Sequence, residues 1–206
     1  APGLQGPVYR DTLVYAFQEG GLERLRACEI PVLMVVASPP RRVPRLASTL
    51  VGYGAYSVEK QLRPAMIHPS LGRRLGFAPR VFDARTCETP EELADLILAS
   101  SATPPFTPFG HYRGERFLDG GMVDNVPAFA VEQVPGVARN LVLLTRPYPS
   151  RSLGPRASRL YLAPSEPTPV SCWDYTSSER VEATLAMGRA EAELHAPLLE
   201  RFLAAP

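Results

Sequence analysis

The 206-residue sequence has no long apolar run and no excess charge. No segment approaches the ~20 apolar residues that a membrane-spanning helix requires, and no signal peptide is visible. The net charge is +1, and the basic doublets Arg41-Arg42 and Arg73-Arg74 are interpreted as solvated loop charges. A protein without a basic surface lacks the field that attracts phosphate backbones. We therefore expect no nucleic-acid partner.

Cysteine is scarce. The chain has three cysteines, Cys28, Cys87 and Cys172, and their spacing does not match paired metal ligands. An odd, widely spaced set argues against a disulfide scaffold and against a zinc site. We interpret all three as small buried apolar residues.

The remaining composition is that of an ordinary globular domain. Apolar residues make up 45% of the chain and charged residues 21%. The 23 prolines stand at the boundaries of predicted elements, and neither an internal repeat nor a domain break is visible. We predict one domain over residues 1–206. The abundance of Arg, Ala and Pro indicates a bacterial source.

Strand and helix patterns alternate along the chain. The run Ile30–Ala37 is continuously apolar, which is typical of a strand covered on both faces, as in a parallel sheet. Further strands are predicted at 80–85, 141–145 and 160–162, and helices at 44–62, 90–100 and from Ser178 onward. Thr89 is predicted to be the N-cap of a helix, with Pro90 at the first helical position and Glu92 completing a capping box. This alternation predicts an α/β fold with a mostly parallel sheet.

The run Phe117–Pro127 carries the chemical signal. Asp119 follows the apolar pair Phe117-Leu118 and is followed by Gly120-Gly121, and Pro127 precedes a predicted helix. Glycines tolerate sharp turns and close approach, so the Asp119 carboxylate can project from the corner at a strand end. On these residues alone, an ordinary Asp-Gly hairpin or loop is the favoured interpretation.

The wider context resembles the C-terminal half of the patatin-like phospholipases. A helix ending in Ala99-Ser100-Ser101-Ala102, a proline-rich loop, a hairpin, Asp119-Gly120-Gly121, Asn125-Val126-Pro127 and the strand 141–144 follow one another as in that family. The segment 171–175 also resembles the entry to the family's closing helix. The resemblance runs from about Ile30 to the chain end.

The resemblance implies a three-layer αβα, lysophospholipase-like domain with a mostly parallel central sheet. It implies a lipid acyl hydrolase that uses a Ser–Asp dyad, in which Asp119 is the catalytic carboxylate and Gly120 and Gly121 support its geometry. The implied substrate is a phospholipid or another acyl ester, and no metal or organic cofactor is implied. We expect a cytoplasmic location or peripheral contact with a membrane.

The family's nucleophile motif, Gly-x-Ser-x-Gly, does not occur in these 206 residues. Ser38, Ser100 and Ser101 are poor substitutes, because a strained elbow is needed to expose the serine beside oxyanion donors. We therefore expect the chain to be the downstream portion of such a domain, stable only with a missing N-terminal segment or companion chain that carries the serine. Two alternatives stay open: a catalytically inactive module that binds protein or lipid, and an unrelated α/β domain.

Other candidates have structural interpretations. His68, His111 and His195 are expected to be structural or exposed, and Asp124 to be a surface or capping residue. The loop Thr103–Phe109 is either the wall of an acyl-chain pocket, through Phe106 and Phe109, or simple packing over the sheet edge.

Overall fold

The computed structural model describes residues 5–40, 45–63, 65–170 and 176–204. The chain divides into two compact units, Ala1–Ala130 and Val131–Pro206, which we call unit 1 and unit 2. Each unit is described by itself below. The prediction of one domain over residues 1–206 stays a prediction.

Unit 1 contains six helices and four strands among its described residues. The helices are α1 Gln5–Phe17, α2 Gly21–Arg26, α3 Arg45–Leu62, α4 Leu71–Arg74, α5 Pro90–Ser100 and, at its end, α6 Ala128–Val131. The strands are β1 Leu33–Ser38, β2 Ala78–Asp83, β3 Gly110–Tyr112 and β4 Glu115–Asp119. Short 3-10 turns follow β2 at Ala84–Thr86 and β4 at Gly120–Met122.

The sheet of unit 1 has the strand order β2-β1-β4-β3, and all three pairings are antiparallel. The expectation of a mostly parallel central sheet is therefore not confirmed in the part of the chain that the structure describes. The apolar run of β1 arises because this inner strand is covered on both faces. Burial on two faces produces such a run whichever way the neighbouring strands point.

Two apolar clusters cover the two faces of this sheet. Side chains alternate across a strand, so neighbouring residues of β1 enter different clusters. Val36 and Phe117 join the cluster that holds Leu93 and Leu96 of α5. Val35 and Leu118 join the cluster that holds Phe77, Met122 and Val123. Helices on both faces of a sheet confirm the α/β class.

Local signals around α5 are borne out. The Thr89 hydroxyl accepts the Glu92 amide at 3.1 Å, while the Glu92 carboxylate receives the amide of Glu88 at 2.7 Å. The β3–β4 hairpin turns at Arg113-Gly114, and both residues have positive φ, as a two-residue type I′ turn requires. The sequence thus predicted the helix and the hairpin that lead to Asp119.

Unit 2 combines a small mixed sheet with one long helix. Its strands are β5 Asn140–Leu143, β6 Gly154–Arg156 and β7 Arg159–Leu162, and its helix is α7 Ser178–Ala204. β5 and β7 are parallel, whereas β6 and β7 are antiparallel. The helix continues through Gly188 and Pro197. The short strand β6 was not predicted.

The cysteine interpretation holds for one of two described residues. Cys87 is buried and its sulfur lies 3.7 Å from the Tyr112 hydroxyl, whereas Cys28 is exposed, so the prediction of a buried Cys28 is wrong. Cys28 follows the end of α2, where the chain crosses the surface towards β1. Cys172, the rest of the segment 171–175 and the Arg41-Arg42 doublet lie outside the described residues.

Candidate active site

Asp119 is the last residue of β4 and lies opposite Val36 of the inner strand β1. Its amide donates a hydrogen bond of 2.8 Å to the carbonyl of Ala102, which follows α5. The backbone of Asp119 is therefore held by the sheet on one side and by the end of a helix on the other. Both constraints come from rigid elements, so the carboxylate starts from a defined position.

The two oxygens of the Asp119 carboxylate differ. Oδ1 accepts the Gly121 amide at 2.7 Å, which turns the side chain over its own loop. Across residues 5–40, 45–63, 65–170 and 176–204 no donor contacts Oδ2. Burial raises the pKa of this carboxyl above its ordinary value, and the single amide hydrogen bond offsets only part of that effect. A partly buried carboxylate with one open oxygen is suited to accept a proton.

The two glycines of the motif are sterically required. A Cβ at Gly120 would lie 2.2 Å from the carbonyl oxygen of Val35, inside the backbone of β1. A Cβ at Gly121 would lie 2.6 Å from Oδ1 of Asn125 and 3.1 Å from Oδ1 of Asp119. Any side chain at either position would displace the turn that carries Asp119.

The buried side chain of Asp124 stabilises the segment that follows this turn. Its side chain is 8% exposed, and both carboxylate oxygens lie 3.1 Å from Nδ1 of His68. Oδ1 also accepts the Val126 amide at 3.0 Å, and a guanidinium nitrogen of Arg73 lies 3.7 Å from Oδ2. Of the two roles expected for Asp124, a surface or a capping residue, the surface role is wrong, because the side chain is buried; the bond from the Val126 amide agrees with the capping role. The buried carboxylate also needs the partners that α4 and the preceding loop supply.

A second buried carboxylate anchors α4 itself. Glu59 of α3 is 8% exposed and accepts the amides of Ser70 and Leu71 at 2.8–3.1 Å. The next residue, Gly72, packs directly on the Asp-Gly-Gly turn, since a Cβ there would lie 2.0 Å from the carbonyl oxygen of Met122. We call Glu59, His68, Gly72, Arg73 and Asp124 the turn clamp.

The sequence reasoning missed the turn clamp. His68 and Asp124 are 56 residues apart, and Glu59 is 11 residues from Ser70, so no local motif connects them. His68 does have the structural place that was expected of it. The signal that could have been used is Asp124 in Asp-Asn-Val-Pro, five residues after Asp119, where a carboxylate beside apolar residues needs a partner.

The other candidates lie away from the Asp119 carboxylate or form structural contacts. Ser38 ends β1 opposite Ala78 of β2, beyond the residues that pair with β4. The Ser101 hydroxyl donates to the carbonyls of Ile97 and Leu98 at the end of α5, and Ser100 is the last residue of that helix. In the described part of the chain, no serine forms a hydrogen bond with Asp119.

His111 and His195 lie in regular elements. His111 is an exposed residue of β3, and the half-buried His195 belongs to α7 of unit 2. Structural or exposed positions were expected for both histidines, and the structure confirms these positions.

One of the two roles predicted for the proline-rich loop is confirmed. Phe109 packs against the cluster of Val35, Phe77 and Leu118, so the packing interpretation is confirmed for this residue. Phe106 is 65% exposed. Contact of Phe106 with an acyl chain stays a prediction.

Comparison with known proteins places this geometry in a family. The sequence-family model for the patatin-like phospholipases matches residues 4–131, more than half of the chain and including the entire Asp119 turn. The chain belongs to the patatin-like phospholipase family. No curated protein and no solved structure gives a match to this patatin-like chain.

The patatin-like match and the architecture coincide closely. The matched segment ends at residue 131, and unit 1 ends at Ala130. Membership places the chain in a family of lipid hydrolases. In its described residues no helix is long and apolar enough to cross a membrane, and no group of three His, Cys, Asp or Glu side chains is placed to hold a metal ion.

Proposed function

We propose that this patatin-like chain is the part of a lipid acyl hydrolase that supplies the general base of a Ser–Asp dyad. Asp119 is that base, and the serine and oxyanion hole come from a segment outside these 206 residues. One observation carries the proposal: a partly buried carboxylate at a strand end, with Oδ1 bonded to Gly121 and a raised pKa, within the family match. The substrate class is a phospholipid or a related acyl ester.

In the proposed reaction the serine hydroxyl attacks the ester carbonyl and transfers its proton to Oδ2 of Asp119. The tetrahedral intermediate then expels the alcohol, which takes the same proton, and an acyl-serine remains. Water attacks the acyl-serine, gives one proton to Asp119, and the released serine takes that proton back. The products are a fatty acid and the alcohol. This route uses protein groups and water alone.

The environment of Asp119 supports this role through its pKa. A carboxylate in water is a weak base, and a raised pKa brings it closer to the value at which proton transfer is efficient. The Gly121 amide holds Oδ1, so rotation does not exchange the two oxygens freely. The neighbouring residues Phe117, Leu118 and Met122 are themselves buried, so the turn stands in apolar surroundings.

The test uses the protein as isolated with any companion polypeptide, and a fluorophosphonate probe that labels activated serines. We expect one labelled serine, within Gly-x-Ser-x-Gly, on a peptide outside the 206 residues. Asp119→Asn should lower the labelling rate by about 10²–10⁴-fold, the usual contribution of a general base. Asp11→Asn, at an exposed position of α1, is the matched control and should not change the rate.

Two results would contradict the proposal: labelling of a serine inside the 206 residues, or an unchanged rate in Asp119→Asn. The absence of Gly-x-Ser-x-Gly from the chain motivates the alternative of a catalytically inactive module that binds protein or lipid. If no peptide in the sample reacts with the probe, that alternative is favoured.

A further inference from the structure

Unit 2 contains a large apolar cavity whose lining includes none of the residues assigned to the proposed hydrolysis. Its volume is about 970 Å³, at the upper end of the range of about 300–1,000 Å³ for small-molecule sites. The cavity opens at the carboxyl ends of the parallel strands β5 and β7, where residues 143–147 and 162–164 line it. Ligands of α/β sheets bind at this end of parallel strands.

The long helix α7 forms the facing wall. Its lining residues recur at helical spacing, as one side of a helix does: Thr184, Met187, Gly188, Glu191, His195 and Leu199. Residues of the loop 163–170 also line this space, which stays partly open to solvent, and the loop is hydrogen-bonded to α7 at two points. Glu191 accepts the amide and hydroxyl of Ser165 at 2.7 and 2.6 Å, and the Val170 amide donates to the Thr184 hydroxyl at 3.1 Å. The cavity is therefore preformed.

The polar groups of the cavity favour an anion. Glu191 is already engaged by Ser165, which leaves the cation Arg146 and the imidazole of His195 as the other ionisable groups of the lining. Arg146 lies over the Tyr148 ring and donates from Nε to the Tyr148 hydroxyl at 3.0 Å. The Glu191 carboxylate keeps its charge but is held by Ser165, whereas Arg146 has no carboxylate partner among the described residues. An apolar cavity with such a cation fits an amphiphile that has a single negative head.

We propose that this cavity binds a long-chain fatty acid, with the hydrocarbon tail between α7 and the strand ends and the carboxylate on Arg146. The tail would cover apolar side chains that include the exposed Leu143. The guanidinium would form a charge-assisted hydrogen bond with the carboxylate. The site thus binds the chemical class of product that a lipid hydrolase releases, but binding requires neither Asp119 nor a serine.

Gly188 provides a sharp test, because a Cβ added there meets no atom within 4 Å. Gly188→Leu should place an isobutyl group in the cavity without a clash, and leucine favours the helix over glycine. We expect hexadecanoate to displace a fluorescent fatty-acid analogue, with one-to-one stoichiometry, from the protein as isolated with any companion polypeptide. Gly188→Leu should weaken this binding by about tenfold or more. Ala190→Leu, at an exposed α7 position outside the cavity, should bind as the unmodified chain does.

Arg146 tests the head group separately. Arg146→Met should weaken hexadecanoate binding by about fivefold to tenfold and leave hexadecanol binding unchanged, because only the carboxylate uses the charge. Arg189→Met, at an exposed α7 position, is the charge-matched control. Equal losses for the acid and the alcohol would contradict the assigned orientation.

Three results would overturn the proposal. These are no saturable binding, binding of many molecules per chain, or equal affinity of Gly188→Leu and the unmodified chain. If instead a companion polypeptide fills the cavity, hexadecanoate will not bind to the isolated complex, and this too overturns it. Asp119→Asn should retain full binding, so failure of this proposal and failure of the proposed hydrolase can be distinguished.

Discussion

At the scale of single residues, two opposing effects act on the pKa of the Asp119 carboxyl. Partial burial raises its pKa, whereas the Gly121 amide stabilises the ionised form and lowers it. The net direction is upward, so proton uptake is easier than for an exposed aspartate. A base of this kind works only when ionised.

The pH dependence of hydrolysis follows from that direction. As the pH falls through the raised pKa of Asp119, the base becomes protonated and kcat/KM should fall. The acidic limb should therefore lie above the ordinary Asp value of about 4. The measurement is a kcat/KM profile for a soluble ester with the complete enzyme. A limb at or below pH 4 would contradict the assignment of Asp119 as the base.

The raised pKa of Asp119 should also affect the free energy of unfolding, with a pH dependence opposite to that of hydrolysis. Because the folded pKa is raised, the folded protein holds the proton more tightly than the unfolded chain. Stability from this group is then fully present at low pH and decreases as the pH rises from the unfolded pKa through the raised folded pKa. Asp119→Asn keeps the acceptor for Gly121 and removes the buried charge, so it should not destabilise unit 1 at neutral pH. A marked loss of stability would indicate a structural ion pair instead.

Gly120 should tolerate no side chain. In Gly120→Ala the new Cβ would lie 2.2 Å from the Val35 carbonyl oxygen, which belongs to an inner strand and cannot rotate away. We expect a loss of about 3 kcal/mol or more in the free energy of unfolding, measured by urea denaturation. Gly54→Ala is the control: its Cβ meets nothing within 4 Å on α3, and alanine should be neutral or stabilising there. Equal effects would contradict the close packing of the turn on β1.

At the scale of elements, the turn clamp connects α3, α4 and the Asp119 turn. Asp124 is buried among His68, Arg73 and the Val126 amide, whereas Asp95 forms an exposed pair with Arg10 at 2.9 Å. Asp124→Asn should lower the free energy of unfolding by about 1–3 kcal/mol, because buried donors lose a charged partner. Asp95→Asn should cost less than about 1 kcal/mol. Thermal or urea unfolding measures both, and similar costs would contradict the clamp.

The elements that the sequence predicted well are those stabilised by near neighbours. Thr89, Pro90 and Glu92 lie within four residues, and the β3–β4 hairpin needs only Arg113-Gly114 to turn. The pairing direction of β1 depends on residues 40 or more positions away, and an apolar run indicates burial without indicating direction. The strand β6, Gly-Pro-Arg, contains no residue that favours a strand, so it forms only through pairing with β7.

The candidate site likewise has a part that could be predicted from neighbouring residues and a part that could not. Asp119, Gly120 and Gly121 are contiguous, and their motif and its order relative to α5 could be read directly. The partners of Asp124 come from a loop and a four-residue helix more than 45 residues earlier in the chain. Only the folded chain brings such groups together.

At the scale of the whole molecule, many large apolar side chains remain on the surface. Val8, Tyr15, Leu62, Leu143 and Leu194 are each between 64% and 79% exposed. Exposed apolar side chains favour association where they form one contiguous patch. The expectation that the chain is stable only together with a complementary segment stays a prediction, and these side chains are where such a segment would bind.

We therefore expect the isolated chain to self-associate in a concentration-dependent way. Light scattering coupled to size-exclusion chromatography should show masses above that of the 22.5 kDa monomer. Adding the segment that carries the nucleophile should produce a complex of one defined mass. A monodisperse monomer that unfolds reversibly and cooperatively would contradict the expectation.

Gly72 affects the position of the Asp119 turn as well as that of its own short helix. With no side chain between them, two stretches of main chain some fifty residues apart touch directly, at Gly72 and the Met122 carbonyl. Peptide planes, unlike side chains, have no alternative rotamers with which to absorb a displacement. A tilt of Leu71–Arg74 would therefore displace the loop that follows Asp119, and Glu59 of α3, which accepts the Ser70 and Leu71 amides, takes part in fixing that loop.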